Sequence, residues 1–118
     1  MPKQRLRVEQ VDDVTVVYFL DKRILDEPTI QVIAEQLFSL VDQEDGRRKL
    51  LLNFSNVEYL SSAALGKLIN LQNKLDAGQG KLAMCSVFPQ ILEVLAVTKF
   101  DKIFKIFPDE EAAMAGLG

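Results

Sequence analysis

The chain has 118 residues, of which 48% are hydrophobic, and its 14 Lys+Arg against 17 Asp+Glu give a net charge of −3. This length fits one compact domain and is too short for two, so we expect a single domain over residues 1–118 with a hydrophobic core. The net acidity argues against direct nucleic-acid binding and against electrostatic attachment to anionic lipid, because both normally need a basic surface.

The first elements predict a hairpin followed by a helix. Residues 6–11 alternate apolar with polar side chains, which predicts a half-exposed strand. Residues 12–13, two aspartates, predict a tight turn, and the β-branched and aromatic residues 14–20 predict a more deeply buried second strand. From Asp26, a candidate N-cap, to Gly46, apolar residues spaced three and four apart predict an amphipathic helix.

The middle of the chain predicts a buried strand and a second helix. Residues 50–54 (LLLNF) are nearly all apolar and predict a strand buried on both faces, which is typical of a parallel sheet covered by helices. A loop over residues 55–60 leads to Ser61 and Ser62, and the helix that follows ends near Gly78. The apolar face of that helix consists of Ala64, Leu68, Leu71 and Leu75.

The last third of the chain continues the alternation of strands and helices. Residues 81–85 predict a strand, residues 89–96 a short helix opened by a proline, and residues 103–107 a last strand. Asp109 is placed to cap a terminal helix over residues 110–115. The order is therefore β-β-α-β-α-β-α-β-α, which predicts an α/β fold with about four helices on a mixed, mostly parallel sheet.

The residue types that are missing restrict the chemistry. The chain has no histidine, and Cys85 is its only cysteine. An intrachain disulfide is therefore impossible, a zinc site is nearly excluded, and serine-triad and Cys–His mechanisms lack their base. We expect a binding or switching module that is not an enzyme and that uses no cofactor and no metal.

The sequence also predicts a location. The basic residues 1–7 are followed by no apolar segment of the kind found in signal peptides. No apolar run approaches the roughly 18–20 residues that cross a membrane, and a single unpaired cysteine fits a reducing compartment. We therefore expect a cytoplasmic protein without membrane contact.

The loop over residues 56–66 is the best candidate for a functional site, because open α/β sheets bind ligands at the carboxyl ends of their strands. It contains two adjacent hydroxyls, Ser61 and Ser62, at a helix start whose backbone N–H groups lack partners. One interpretation is that Ser61 is simply an N-cap and Ser62 the first helical residue. The other is that one serine is phosphorylated, since a helix N-terminus tolerates the added negative charge.

Residues 50–66 resemble the signature of STAS domains, in particular the bacterial anti-sigma factor antagonists. That signature is an apolar strand, then Asp-Phe-Ser-x-Val, then Asp-Ser-Ser/Thr-Gly-Leu-Gly. The corresponding residues here are Asn53-Phe54-Ser55-Asn56-Val57 and Leu60-Ser61-Ser62-Ala63-Ala64-Leu65-Gly66. The resemblance extends over nearly the whole chain in the order of elements, in Pro89 at the third helix and in Phe107-Pro108-Asp109 before the last helix.

The resemblance implies a STAS fold and a phosphorylation-switched interaction module. In the family, the first serine of the pair is phosphorylated by an anti-sigma factor, a serine kinase of the histidine-kinase-like ATPase fold. The unphosphorylated antagonist binds this kinase and thereby releases a sigma factor for transcription. By residue match the acceptor is Ser61, with Ser62 as the second candidate, and we expect a monomer or weak dimer. The implied partner-binding residues are Glu58, Tyr59, Leu60, Ser61, Ser62, Ala63, Leu65 and Gly66.

Three residues depart from the family pattern and keep alternatives open. Leu60 and Asn53 stand in place of aspartates, and Ala63 in place of a glycine. The change at 60 bears most directly on kinase recognition, so an alternative is a STAS scaffold or ligand-sensing subunit of a signalling assembly whose loop is not phosphorylated. A small enzyme or nucleotide-binding protein is a third class, disfavoured by the missing histidine and by the absence of an intact nucleotide motif, although nucleotide binding has been proposed for STAS relatives.

Overall fold

The computed structural model describes residues 4–43 and 48–117, and its main sheet has five strands. β1 (Leu6–Val11) and β2 (Val14–Phe19) form the predicted antiparallel hairpin, with Asp12 in the left-handed region (φ 53°) at its turn. Three further strands run parallel to β2, namely β4 (Lys49–Asn53), β6 (Lys81–Cys85) and β7 (Lys105–Phe107). The spatial order of the strands is β1-β2-β4-β6-β7.

Within the described residues, four helices connect or follow these strands, as the sequence predicts: α1 (Glu27–Asp42), α2 (Ser62–Ala77), α3 (Pro89–Thr98) and α4 (Glu110–Leu117). Asp26 caps α1 by accepting a 3.1 Å hydrogen bond from Thr29 N. Hydrogen bonding to Thr29 lowers the pKa of Asp26. Helix α1 ends at Asp42 with Gln43 as its C-cap, and the predicted end at Gly46 lies outside the described residues. Asp109 caps α4 as expected, with its carboxylate 2.8 Å from Ala112 N.

The core lies on both faces of the sheet, which explains why β4 is apolar without alternation. Leu50 and Leu52 of β4 belong to the larger cluster, under α1 and α2. Leu51 belongs to the smaller cluster, under α4. Cys85 also lies in the smaller cluster, where burial raises the pKa of its thiol and keeps it unreactive.

Two short elements depart from the expected order. β3 (Arg23–Ile24) and β5 (Tyr59–Leu60) form a separate parallel pair, so the expected loop over 55–60 ends as a strand. A 3-10 helix (Phe100–Lys102) precedes β7, which begins at Lys105 and not at residue 103. Two-residue strands and single helical turns are too short to show a hydrophobic period, and Ile103 is exposed because the chain is turning there.

Candidate functional site

The two serines at the start of α2 have different surroundings. Ser61 is the N-cap, with φ −79° and ψ 163°, and its Oγ accepts a 3.2 Å hydrogen bond from Ala64 N. Its own N–H donates to Ile24 O at 3.0 Å, and the residue is half-buried. Ser62, the first helical residue, is exposed, and no described residue hydrogen-bonds its hydroxyl. The interpretation of Ser61 as an N-cap is therefore confirmed.

The segment before the serines is held by the β3·β5 pair. Arg23 pairs with Tyr59 and Ile24 with Leu60, and Lys22 O accepts hydrogen bonds from both Glu58 N (2.8 Å) and Tyr59 N (3.2 Å). The guanidinium of Arg23 also lies 5.3 Å from the centre of the Tyr59 ring, within cation–π range. These contacts fix the loop shape independently of any partner.

α3 forms the second wall of the site. Gln90 Nε2 donates a 2.9 Å hydrogen bond to Glu58 O, which ties the helix to the loop. Between them lies a cleft of about 240 Å³ lined by Glu58, Tyr59, Leu60, Leu65, Gln90, Ile91 and Val94. Tyr59 is 46% exposed and Val94 is similarly exposed, so the rim of the cleft is apolar. Exposed apolar surface of this kind is found at protein-interaction sites and at ligand-binding grooves.

The structure brings most of the expected partner-binding residues to one surface. Tyr59, Ser62 and Ala63 are exposed, and four others are half-buried, namely Glu58, Leu60, Ser61 and Gly66. Leu65 differs, because it is only 2% exposed and packs in the core, so its side chain forms the floor of the cleft and not a contact surface. Sequence reasoning missed Arg23, Gln90 and Val94. Only Val94 has a sequence signal, as an exposed apolar residue on the outer face of a short helix.

Asn53 lies on the opposite face of the sheet, beneath α4. Its Oδ1 accepts a 2.9 Å hydrogen bond from Ser55 N, which shapes the start of the loop. Its Nδ2 and the Tyr18 hydroxyl both donate to Glu110 Oε1, and the bond from Tyr18 is 2.6 Å long. The hydrogen bond to Glu110 raises the pKa of Tyr18 to about 12. Asn53 therefore has a structural partner where an aspartate would meet a second carboxylate.

Within the described ranges, no group of three or more His, Cys, Asp or Glu side chains is arranged to hold a metal ion. None of the helices in these ranges combines the length and apolar character that crossing a bilayer requires.

The family model of the STAS domain matches residues 5–113 of the chain. The chain belongs to the STAS domain family. Its α/β architecture agrees with that of solved STAS structures, which confirms the fold expected from the sequence. The resemblance carried by residues 50–66 is likewise confirmed at the level of the family.

Several relatives of this STAS domain carry names that refer to sigma-factor regulation. BtrV of Bordetella bronchiseptica, a candidate anti-sigma factor antagonist by name, is 25% identical over 94% of this chain and 92% of its own length. A solved anti-sigma-factor antagonist (STAS) domain protein from Planctomyces limnophilus is 28% identical, with a TM-score of 0.81 covering 96% of this chain and 97% of that one. An anti-sigma factor antagonist from Mycobacterium paratuberculosis is 25% identical, with a TM-score of 0.82 covering 95% and 92% of the two chains.

Proposed function

We propose that this STAS domain is an anti-sigma factor antagonist, a cytoplasmic regulatory module without enzymatic activity. Its partner is an anti-sigma factor that is also a serine kinase of the histidine-kinase-like ATPase fold, and binding regulates sigma-factor-dependent transcription. The names of the relatives support the antagonist role. The observation that carries the proposal is the exposed Ser62 hydroxyl at the N-terminus of α2, next to the apolar cleft between the loop and α3.

We place the phosphorylation site at Ser62 in preference to Ser61. A kinase needs a hydroxyl that can turn toward its ATP, and Ser62 is exposed with an uncommitted side chain. Ser61 is half-buried, and its Oγ would have to give up the bond from Ala64 N to react. Removing an N-cap bond has a free-energy cost of about 1 kcal/mol, which the Ser62 hydroxyl does not incur.

The register of the family motif supports the same choice. Asp-Ser-Ser/Thr-Gly-Leu-Gly has six residues, whereas residues 60–66 are seven. Aligning its final Leu-Gly with Leu65 and Gly66 places the acceptor serine at Ser62 and the preceding aspartate at Ser61. Serine and aspartate are both strong N-caps, so the observed role of Ser61 replaces that of the aspartate without changing the start of the helix.

Phosphorylation would act on the surface and leave the fold intact. A phosphate adds about −1.5 to −2 charges, and at a helix N-terminus this charge is of the tolerated sign and contributes less than about 1–2 kcal/mol. α2 is anchored by buried leucines that each contribute roughly 1.5–3 kcal/mol, so it would not melt. A partner covering Tyr59 and Val94 would have to desolvate the dianion, which weakens the complex.

The test of this proposal is incubation with kinase-type anti-sigma factors and ATP, read by intact mass. We expect one addition of about 80 Da that Ser62→Ala abolishes and that Ser61→Ala and the matched control Ser55→Ala retain. Addition lost in Ser61→Ala but kept in Ser62→Ala would return the acceptor to Ser61. No addition by a kinase that binds the chain would exclude the switch and favour the non-phosphorylated scaffold.

A second experiment separates binding from phosphorylation. Calorimetric titration should show that Ser62→Asp binds the anti-sigma factor at least about tenfold more weakly than wild type. Ser55→Asp adds the same charge at an exposed position before the site and should bind as wild type does. Equal affinities for wild type and Ser62→Asp would contradict the proposed switch, and equal losses in both variants would point to net charge instead of position.

A further inference from the structure

The edge of the sheet at β1 is open and regular. β1 pairs only with β2, over six residues, in the described sheet. Arg5 O accepts a 3.0 Å hydrogen bond from Leu20 N, and the register continues from this pair. In an antiparallel ladder the backbone groups of Arg7, Glu9 and Val11 therefore point toward β2. The backbone N–H and C=O groups of Leu6, Val8 and Gln10 therefore point to the open edge. The side-chain amide of Gln4 caps Leu6 O from that side, at 2.7 Å.

The charges along this edge are self-complementary. Arg7 and Glu9 lie on one face of β1 and form an ion pair within the chain. If the β1 strand of a second copy pairs antiparallel about a two-fold axis at Val8, Leu6 faces Gln10 and Arg7 faces Glu9. Opposite charges directly across an antiparallel pair are favourable. Sliding the register by two residues in either direction places Arg7 opposite Arg7, or Glu9 opposite Glu9, which is unfavourable.

Apolar surface lies beside the same axis. Val8 is 41% exposed, and with Leu6 and Leu40 it lines an open cleft of about 350 Å³ between β1 and α1. In the register centred on Val8, the two Val8 side chains would meet and shield one another. The opposite edge strand, β7, has only three residues and offers much less backbone for pairing.

We propose that this protein forms a weak symmetric homodimer in which the β1 strands pair antiparallel about Val8. The pairing joins two five-stranded sheets into one continuous sheet. The Arg7–Glu9 ion pair within each chain is replaced by two Arg7–Glu9 pairs between the copies. Gln4 leaves Leu6 O when the second copy's Gln10 N–H takes its place. The proposal is independent of the phosphorylation site and would stand if the proposed function failed.

Charge-reversal variants test the register. Sedimentation equilibrium from about 10 μM to about 1 mM, where weak complexes are populated, should show concentration-dependent dimers of wild type. Arg7→Glu and Glu9→Arg should each dimerise at least about tenfold more weakly. A mixture of the two single variants should form a heterodimer of at least wild-type strength, because every cross-strand pair is then of opposite charge. Lys74→Glu, at another surface ion pair, is the control and should not change dimerisation.

A backbone variant tests the edge itself. Val8→Pro removes an N–H that points away from β2, so the fold should persist while the dimer is lost. Thermal unfolding of each variant checks that the fold is intact. A wild-type chain that stays monomeric at about 1 mM, a dimer that survives Val8→Pro, or single charge variants whose mixture fails to associate would overturn the proposal.

Discussion

Asn53, the last residue of β4, donates a 3.1 Å hydrogen bond to Glu110 in the first turn of α4, 57 positions further along the chain. Asn53 is only 7% exposed, so this bond joins a helix to the sheet in a poorly hydrated place. The amide is also the residue that replaces a family aspartate. An amide suits this position because it can donate a hydrogen bond to the Glu110 carboxylate.

The first prediction follows from that contact. Asn53→Asp should lower the free energy of unfolding at neutral pH by about 1–3 kcal/mol, because a buried carboxylate would then face the half-buried carboxylate of Glu110. The difference from wild type should shrink at acidic pH, where protonation of the introduced carboxyl group removes the repulsion. Urea unfolding at several pH values measures it. Glu110→Gln should rescue most of the loss in the double variant, and a loss that is independent of Glu110 would contradict this reasoning.

The second prediction concerns pH and Tyr18. The pKa of Tyr18 is raised from 10.0 to about 12 in the folded chain, so the folded state holds this proton more tightly than the unfolded state. The corresponding stabilisation is complete below pH 10 and is lost as the pH rises toward 12. Wild type should therefore lose stability over this window faster than Tyr18→Phe. If the free energy of unfolding depends on pH in the same way in the two proteins, the hydrogen bond to Glu110 does not raise the pKa of Tyr18.

The third prediction separates the two serines by stability. Ser61→Ala should lower the free energy of unfolding by about 1 kcal/mol, because Ala64 N loses its acceptor. Ser61→Asp should retain most of the wild-type free energy of unfolding, because aspartate is also a strong N-cap. Ser62→Ala should stay within about 0.5 kcal/mol of wild type, since the hydroxyl is exposed. Chemical denaturation measures all three. A larger loss for Ser62→Ala than for Ser61→Ala would reverse the assignment of the cap.

The fourth prediction concerns Leu60, which stands in place of an aspartate when the motif is aligned on the serine pair. Leu60 is half-buried and packs against the larger core cluster. Leu60→Asp should therefore destabilise the fold by about 1–2 kcal/mol and should not raise the phosphorylation rate. Leu60→Met, which keeps the volume, is the control. A faster phosphorylation with unchanged stability would mean that the missing aspartate matters for recognition.

The sequence predicts the main sheet and the helices because their signals are local and long. The hairpin, the uniformly apolar β4 and the stripe on α2 each span several residues of one period. β3 and β5 carry no such signal, since two residues have no period and their pairing joins segments far apart in the chain. Apolar spacing does not specify where the last turn of a helix ends, so the end of α1 at Asp42 has no sequence signal of its own.

The site could be predicted only in part. The loop and both serines follow from their position after a buried strand, and Ser61 follows from N-cap chemistry. The resemblance includes Leu65 among the partner-binding residues because a motif names residues without their orientation, whereas the turn of α2 directs the Leu65 side chain inward. No sequence pattern indicates the role of Glu110 at the start of the loop. Its bonds to Asn53 and Tyr18 depend on tertiary packing that no sequence period contains.

The β3·β5 pair makes the candidate binding surface discontinuous along the chain. The backbone of residues 58–61 takes its shape from hydrogen bonds to Lys22 and Ile24, and Gln90 holds it from the other side. An excised peptide copying residues 56–66 would lack all three supports and the apolar wall of α3. Such a peptide should therefore be a poor competitor for the partner, and an antibody raised against it should recognise the unfolded chain better than the native one.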